Sequence, residues 1–242
     1  MFSSYLSSRR SSGERNFFPP SKMVSIFDSA SLPAETSFVR DRLRKTTMEM
    51  HPTDILPPVT ADRKAFFQFL IDSCCVFNML EDIVNTHTRF EPLRNTGIEL
   101  HDALKLDIQW MIEHFPEDCD SSLTVGHAGR AYADHLKYLS LSSIPQFITH
   151  YYNIYFAHGA GGRLIGKEIS KRLLEGYNLK FYILKEDTNL IKEDVKTRID
   201  ALASKWTPEE EEDCLDGIPD CFKFGQELLK YLYPLGAFHE GK

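Results

Sequence analysis

No apolar run approaches the ~20 residues needed to cross a bilayer, so no membrane anchor is expected. Cysteine is scarce. The five residues Cys74, Cys75, Cys119, Cys214 and Cys221 make an odd set with no CxxC pair. That argues against a disulfide framework and against a structural zinc site. Cys214 and Cys221 read as core thiols in a reducing compartment. Basic charge is not in excess either: the net charge is -7, which argues against general binding to nucleic-acid phosphates. There is no internal repeat and no regular alternation of strands with helices.

What the chain does have is amphipathic helical pattern over an ordinary globular composition, 42% hydrophobic and 26% charged in 242 residues. That length is enough for one domain with a sizeable core. The start, "MFSSYLSSRRSSGERNFFPPSKM", is rich in Ser and Arg and holds one acid, Glu14. Residues 1–35 read as a transit peptide or as a disordered extension with no address. From Thr36, Val39, Leu43, Thr47 and Met50 recur at helical spacing until Pro52 ends the run. Phe66, Phe69, Leu70, Phe77, Leu80 and Val84 predict a second helix. Leu100, Leu104, Ile108, Met111 and Phe115 predict a third. Tyr132, Leu136 and Leu139 predict a short one, and Leu190, Ile191, Val195, Ile199 and Leu202 another. The last helix starts at "TPEE", with Thr207 as N-cap, Pro208 in the first turn and Glu210 closing a capping box; "DGIPD" predicts a break within it. The fold expected is all-α and single-domain.

One stretch stands out. "NIYFAHGAGGRLIGKEI", 153–169, carries four glycines, at 159, 161, 162 and 166. Each glycine within a helix costs roughly 0.5–1 kcal/mol relative to alanine. A phosphate loop fits poorly: the GxxxxGK match from Gly161 to Lys167 puts Glu168 where a magnesium-binding hydroxyl belongs. A dinucleotide fingerprint fails at Leu164. Two readings remain. The glycines let two helices pack closely, or they let a flat ligand rest on the helix backbone.

The stretch "HYYNIYFAHGAGGRLIGKEISKRLL" closely resembles the distal helix of plant and algal haem oxygenases. "FVRDRLRKTTMEMH" resembles the proximal helix of that family. "FLIDSCCVFNMLEDIV", "FEPLRNTGIEL", "LDIQWMIEHF" and "KWTPEEEEDCLDGIPDCFKFGQELLKYL" follow in the family's order. The resemblance covers 36–233 and leaves 234–242 as a short tail. It implies a haem held between the proximal and distal helices. His51 then matches the proximal ligand of the haem iron, and neutral imidazole suits that role. Arg44, seven residues earlier, projects from nearly the same face about 10 Å away along the axis. It matches a position used for the propionates, with a solvated surface arginine as the alternative. Gly161 and Gly162 match the distal glycine pair, and Tyr152 a tyrosine at the haem edge. Lys192 and Lys196, four apart on one helical face, match propionate positions. The family often has Tyr-Arg where this chain has Val195-Lys196, and Arg198 could substitute. His158 stands where many members carry an aspartate. There it either holds a water chain that delivers protons or caps a neighbouring carbonyl. His87, His101, His114, His127, His135, His150 and His239 are expected to be surface or structural residues.

The function so implied is cleavage of haem, as substrate and cofactor, by oxygen and reduced ferredoxin. The products are biliverdin, carbon monoxide and ferrous iron. The implied setting is a monomer in a plastid, with ferredoxin and a downstream bilin reductase as partners. A mitochondrial or cytosolic address stays open. The alternative is a tetrapyrrole-binding or regulatory relative without turnover, a reading motivated by Pro52 directly after His51.

Overall fold

A computed structural model describes residues 42–46, 59–120, 122–158, 162–183 and 188–233. All of them lie in the unit Leu32–Lys242. His51, Gly161, the extension 1–35 and the tail 234–242 fall outside the described residues. Among the described residues every regular element is helical, as the pattern predicts. The elements are α1 (Arg63–Thr86), α2 (His101–His114), α3 (His127–Ser142), α4 (Ile144–Ala157), α5 (Arg163–Leu173), α6 (Thr188–Ala203), α7 (Pro208–Asp216) and α8 (Ile218–Leu229). Short 3-10 segments lie at Thr88–Leu93 and Lys180–Tyr182.

Helix α1 is the spine. Asp62 caps it by accepting from the Ala65 amide at 2.8 Å. Its aromatic face, Phe66, Phe67, Phe69 and Phe77, enters the core. Helix α3 packs along it most extensively, and α2 next. The α1–α3 crossing is pinned by a buried carboxylate. Asp72 accepts from Gly126 N at 2.7 Å, Gly129 N at 2.9 Å, Gln68 Nε2 at 2.7 Å and Tyr231 Oη at 3.0 Å. A buried charge is tolerated when its lone pairs are filled in this way.

Helix α4 begins where Ser143 accepts from the Gln146 amide at 3.2 Å and Pro145 fills the first turn. It buries Phe147, Ile148, Tyr151, Tyr152, Tyr155 and Phe156, and packs on α3, α7 and α8. The capping box is formed as expected: Thr207 N donates to Glu210 Oε2 at 2.8 Å, and Glu210 N to Thr207 Oγ1 at 3.3 Å. The predicted break falls between α7 and α8. Pro219 has no N–H for the helical ladder there. Helical residues 42–46 lie against α7, with Leu43 fully buried and Arg42 paired with Glu211 at 4.0 Å and with Glu212.

Two expectations shift. Leu190, predicted on the apolar face of its helix, is 70% exposed. The residues of α6 that reach the core are Val195, Ile199 and Ala203, toward the helix's later turns. The element expected from Tyr132 to Leu139 is longer than predicted, a full 16 residues, because Asp72 anchors its first turn. The cysteines are all free, with Cys214 and Cys221 buried as read.

Candidate functional site

The site is best built from α4 outward. Tyr152 and Phe156 stand four residues apart on one helical face. Their rings stack at 4.3 Å between centroids and 16° between planes. Across from them, α6 brings two ammonium groups over the Phe156 ring: Lys192 Nζ at 6.0 Å and Lys196 Nζ at 5.7 Å from its centroid. That is cation–π distance. Lys196 also pairs with Glu193 at 2.6 Å. Three residues singled out in the sequence, Tyr152, Lys192 and Lys196, are thus brought together around a fourth, Phe156. Arg198 is not part of this group. Two residues beyond Lys196 it points roughly 200° away around the helix. Its guanidinium donates to the carbonyls of Pro92 at 2.9 Å and Arg94 at 3.3 Å, and pairs with Asp194 at 2.7 Å. Arg44 is half-buried on the 42–46 helical segment.

At the C-terminal end of α4 the helix changes character. His158 and Gly162 both take π-helical backbone, a form found often at functional sites. His158 Nε2 lies 2.6 Å from the Phe181 carbonyl oxygen. A carbonyl only accepts, so this nitrogen carries the proton. The residue keeps some accessible surface, but its ring is enclosed by aromatics. Centroids lie at 4.0 Å to Phe181, 5.6 Å to Tyr182 and 6.4 Å to Phe77. Burial in this apolar setting pushes its pKa down to about 4, so the imidazole is neutral at pH 7. A Cβ built on Gly162 would stand 3.0 Å from both Cε1 and Nδ1 of His158. A Cβ on Gly166 would meet Tyr182 Cβ and Cγ at 2.5 Å. Gly162 and Gly166 therefore serve close approach within the protein, whatever else approaches this backbone.

Sequence reasoning missed the residues that hold His158 in place. Asp107 is 1% exposed on α2, flanked on its face by fully buried Leu104 and Met111. It accepts from Lys180 N at 2.8 Å and Phe181 N at 2.7 Å. Burial raises its pKa. Glu81 on α1 does a similar job, accepting from Leu100 N, His101 N and Tyr155 Oη at 2.8, 2.9 and 3.2 Å. The signal was an acid standing at i+3 or i+4 from apolar residues of a buried face, where an unpartnered charge is costly. Of the other histidines among the described residues, His114 and His127 are exposed, and His150, fully buried, meets Tyr132 Oη at 3.0 Å.

No family model matches the chain. Among solved structures, the all-α architecture is shared with the crystal structure of heme oxygenase-1 from the cyanobacterium Synechocystis sp. in complex with heme. The TM-score is 0.66 at 16% identity, covering 81% of this chain and 92% of that one. The fold is therefore that of the haem oxygenases. In sequence, the chain is 32% identical over 207 residues to "Heme oxygenase 1, chloroplastic" of Oryza sativa subsp. japonica, covering 80% of this chain and 70% of the relative. It is 35% identical over 171 residues to "Probable inactive heme oxygenase 2, chloroplastic" of the same plant, covering 70% of this chain and 51% of that relative. The chain belongs to the haem oxygenase family, with plant chloroplastic proteins among its relatives.

Proposed function

We propose that this chain is a plastid haem oxygenase that opens haem with oxygen and electrons from reduced ferredoxin, releasing biliverdin, carbon monoxide and ferrous iron. The observation that carries the reading is the convergence of Lys192 and Lys196 over the Phe156 ring, beside the Tyr152 stack. A flat apolar ring that ends in carboxylates needs an aromatic wall and nearby ammonium groups, and this surface offers both.

Haem, when bound, supplies the iron at which oxygen reacts and is itself the ring that is opened. His51 holds it from the proximal side, Arg44 and the two lysines neutralise its propionates, and Tyr152 lines its edge. His158 holds water on the distal side. Gly161 and Gly162 are the distal glycine pair, and the absent side chain at Gly162 makes the space that the His158 ring fills. Arg198 is a secondary candidate for a propionate, in competition with the carbonyls it already binds. The product passes to a bilin reductase, and the Ser/Arg-rich start directs import into the plastid.

A second reading has its own observation. Identity to the inactive-named rice relative, 35%, is as high as to heme oxygenase 1. It makes the chain a tetrapyrrole-binding protein without turnover. One experiment separates the two. The purified chain and a His51→Ala variant are titrated with hemin, then given reduced ferredoxin in air. A Soret band that needs His51 and decays as biliverdin appears supports the enzyme. A stable band supports the second reading. No band at all sinks both.

A further inference from the structure

We propose that Asp107 is a positioning residue for His158. It locks the 180–182 turn so that the Phe181 carbonyl takes the Nε2 proton, leaving Nδ1 as a hydrogen-bond acceptor against the bare backbone of Gly162. The inference rests on the reading that His158 serves the distal side of the haem site, and it specifies how.

The chain of contacts is continuous. The two carboxylate oxygens of Asp107 grip consecutive amides, Oδ1 taking Lys180 N at 2.8 Å and Oδ2 taking Phe181 N at 2.7 Å. The next carbonyl along, that of Phe181, faces His158 Nε2 at 2.6 Å. One residue thus has its N–H held by α2 and its C=O held by the end of α4. Only a carboxylate fits here. An asparagine would turn an amide N–H toward one of the two backbone N–H groups, donor against donor. The buried face of α2 gives Asp107 no water to fall back on, so the grip is the way its charge is satisfied.

The consequence is a fixed tautomer. With Nε2 protonated and the ring neutral, Nδ1 bears a lone pair. That atom lies 3.0 Å from where a Cβ at Gly162 would be. The depressed pKa of His158 agrees with a neutral ring at pH 7. The positive charge of Lys192 acts in the same direction. The side chain therefore acts as an acceptor for a water molecule. It does not donate from Nδ1.

The test uses the full chain labelled with 15N-histidine, and long-range 1H–15N correlation assigned by loss of the signal in His158→Asn. The expected wild-type result at pH 7 is the Nε2–H tautomer, with slow exchange of the Lys180 and Phe181 amides. Asp107→Asn should bring the two ring nitrogen shifts together as the tautomers mix. It should also lower kcat on hemin about 10-fold with KM little changed. An Nδ1–H tautomer or an imidazolium at pH 7 would overturn the proposal. So would an unchanged His158 spectrum in Asp107→Asn. If that variant does not fold, fast exchange of the Lys180 and Phe181 amides in the wild type overturns it equally. The expected spectra from a chain that never consumes hemin would sink the functional reading and leave the Asp107 arrangement standing.

Discussion

The ring of His158 lies on Gly162, with Cε1 and Nδ1 each 3.0 Å from the position a Cβ would take. This imidazole and a side chain at 162 can then coexist only if the ring gives way by a few tenths of an ångström. Gly162→Ala should gain ~0.5–1 kcal/mol of helix propensity and lose a similar amount by pushing the ring aside. Near-unchanged thermal stability is expected, together with a shifted His158 ring signal and slower haem turnover. In a His158→Ala background, where the ring is gone, Gly162→Ala should be more stabilising than it is in the wild type. Simple additivity of the two changes would count against the contact.

Gly166 is a different case. The atoms that its Cβ would meet, at 2.5 Å, are Cβ and Cγ of Tyr182, close to that residue's backbone. They cannot swing away as a flexible chain end could. Overpacking of this kind costs about 1–3 kcal/mol. Gly166→Ala should therefore lower the urea midpoint, while Gly225→Ala, which meets nothing within 4 Å, should raise it or leave it alone.

The lysines and Arg198 separate binding from stability. Lys192→Ala and Lys196→Ala should each weaken hemin binding several-fold, as loss of one charged contact worth about 1 kcal/mol would. Both should leave the unfolding midpoint nearly as it was. Arg198→Ala should do the reverse. It strips two carbonyls and Asp194 of their partner, at about 1 kcal/mol of stability, with little effect on hemin. A large loss of hemin affinity in Arg198→Ala would place it among the propionate ligands after all.

Acid should loosen the ligand-free fold. Burial, with His135 adding to it, holds the His150 pKa at about 3, and burial holds that of His158 at about 4. The unfolded chain accepts these protons near pH 6.5, well before the folded one. Stability is then fully present above pH 6.5 and falls as pH drops toward 4, by ~1.4 kcal/mol per unit for each histidine. Glu81 and Asp107 oppose this in the lower part of the window, since burial raises their folded pKa values and the folded form takes their protons first. Thermal unfolding at pH 7, 6 and 5 measures the slope between pH 6.5 and 5.5. His150→Gln should flatten it. A midpoint that does not move over this range would contradict the buried neutral state.

By itself the sequence settled what depends on local periodicity and local chemistry. The apolar spacing of α1, the Thr207–Glu210 box and the break at Pro219 were all legible, because each involves residues within a turn or two of one another. The order of the motifs pointed to the family, and the four-residue spacing of Lys192 and Lys196 placed them on one face. Tertiary structure decided what those faces meet. That Lys192 and Lys196 converge on Phe156 while Arg198 turns to the 88–94 segment depends on how α6 lies against α4, which no spacing within α6 encodes. The hydrogen bond of His158 is similar. Its Nε2 proton goes to a carbonyl 23 residues away, held there by a carboxylate 51 residues before His158 in the chain. Such long-range contacts carry no periodic trace beyond a single acid on an apolar face. This one forms because a buried carboxylate such as that of Asp107 is costly without hydrogen-bond partners.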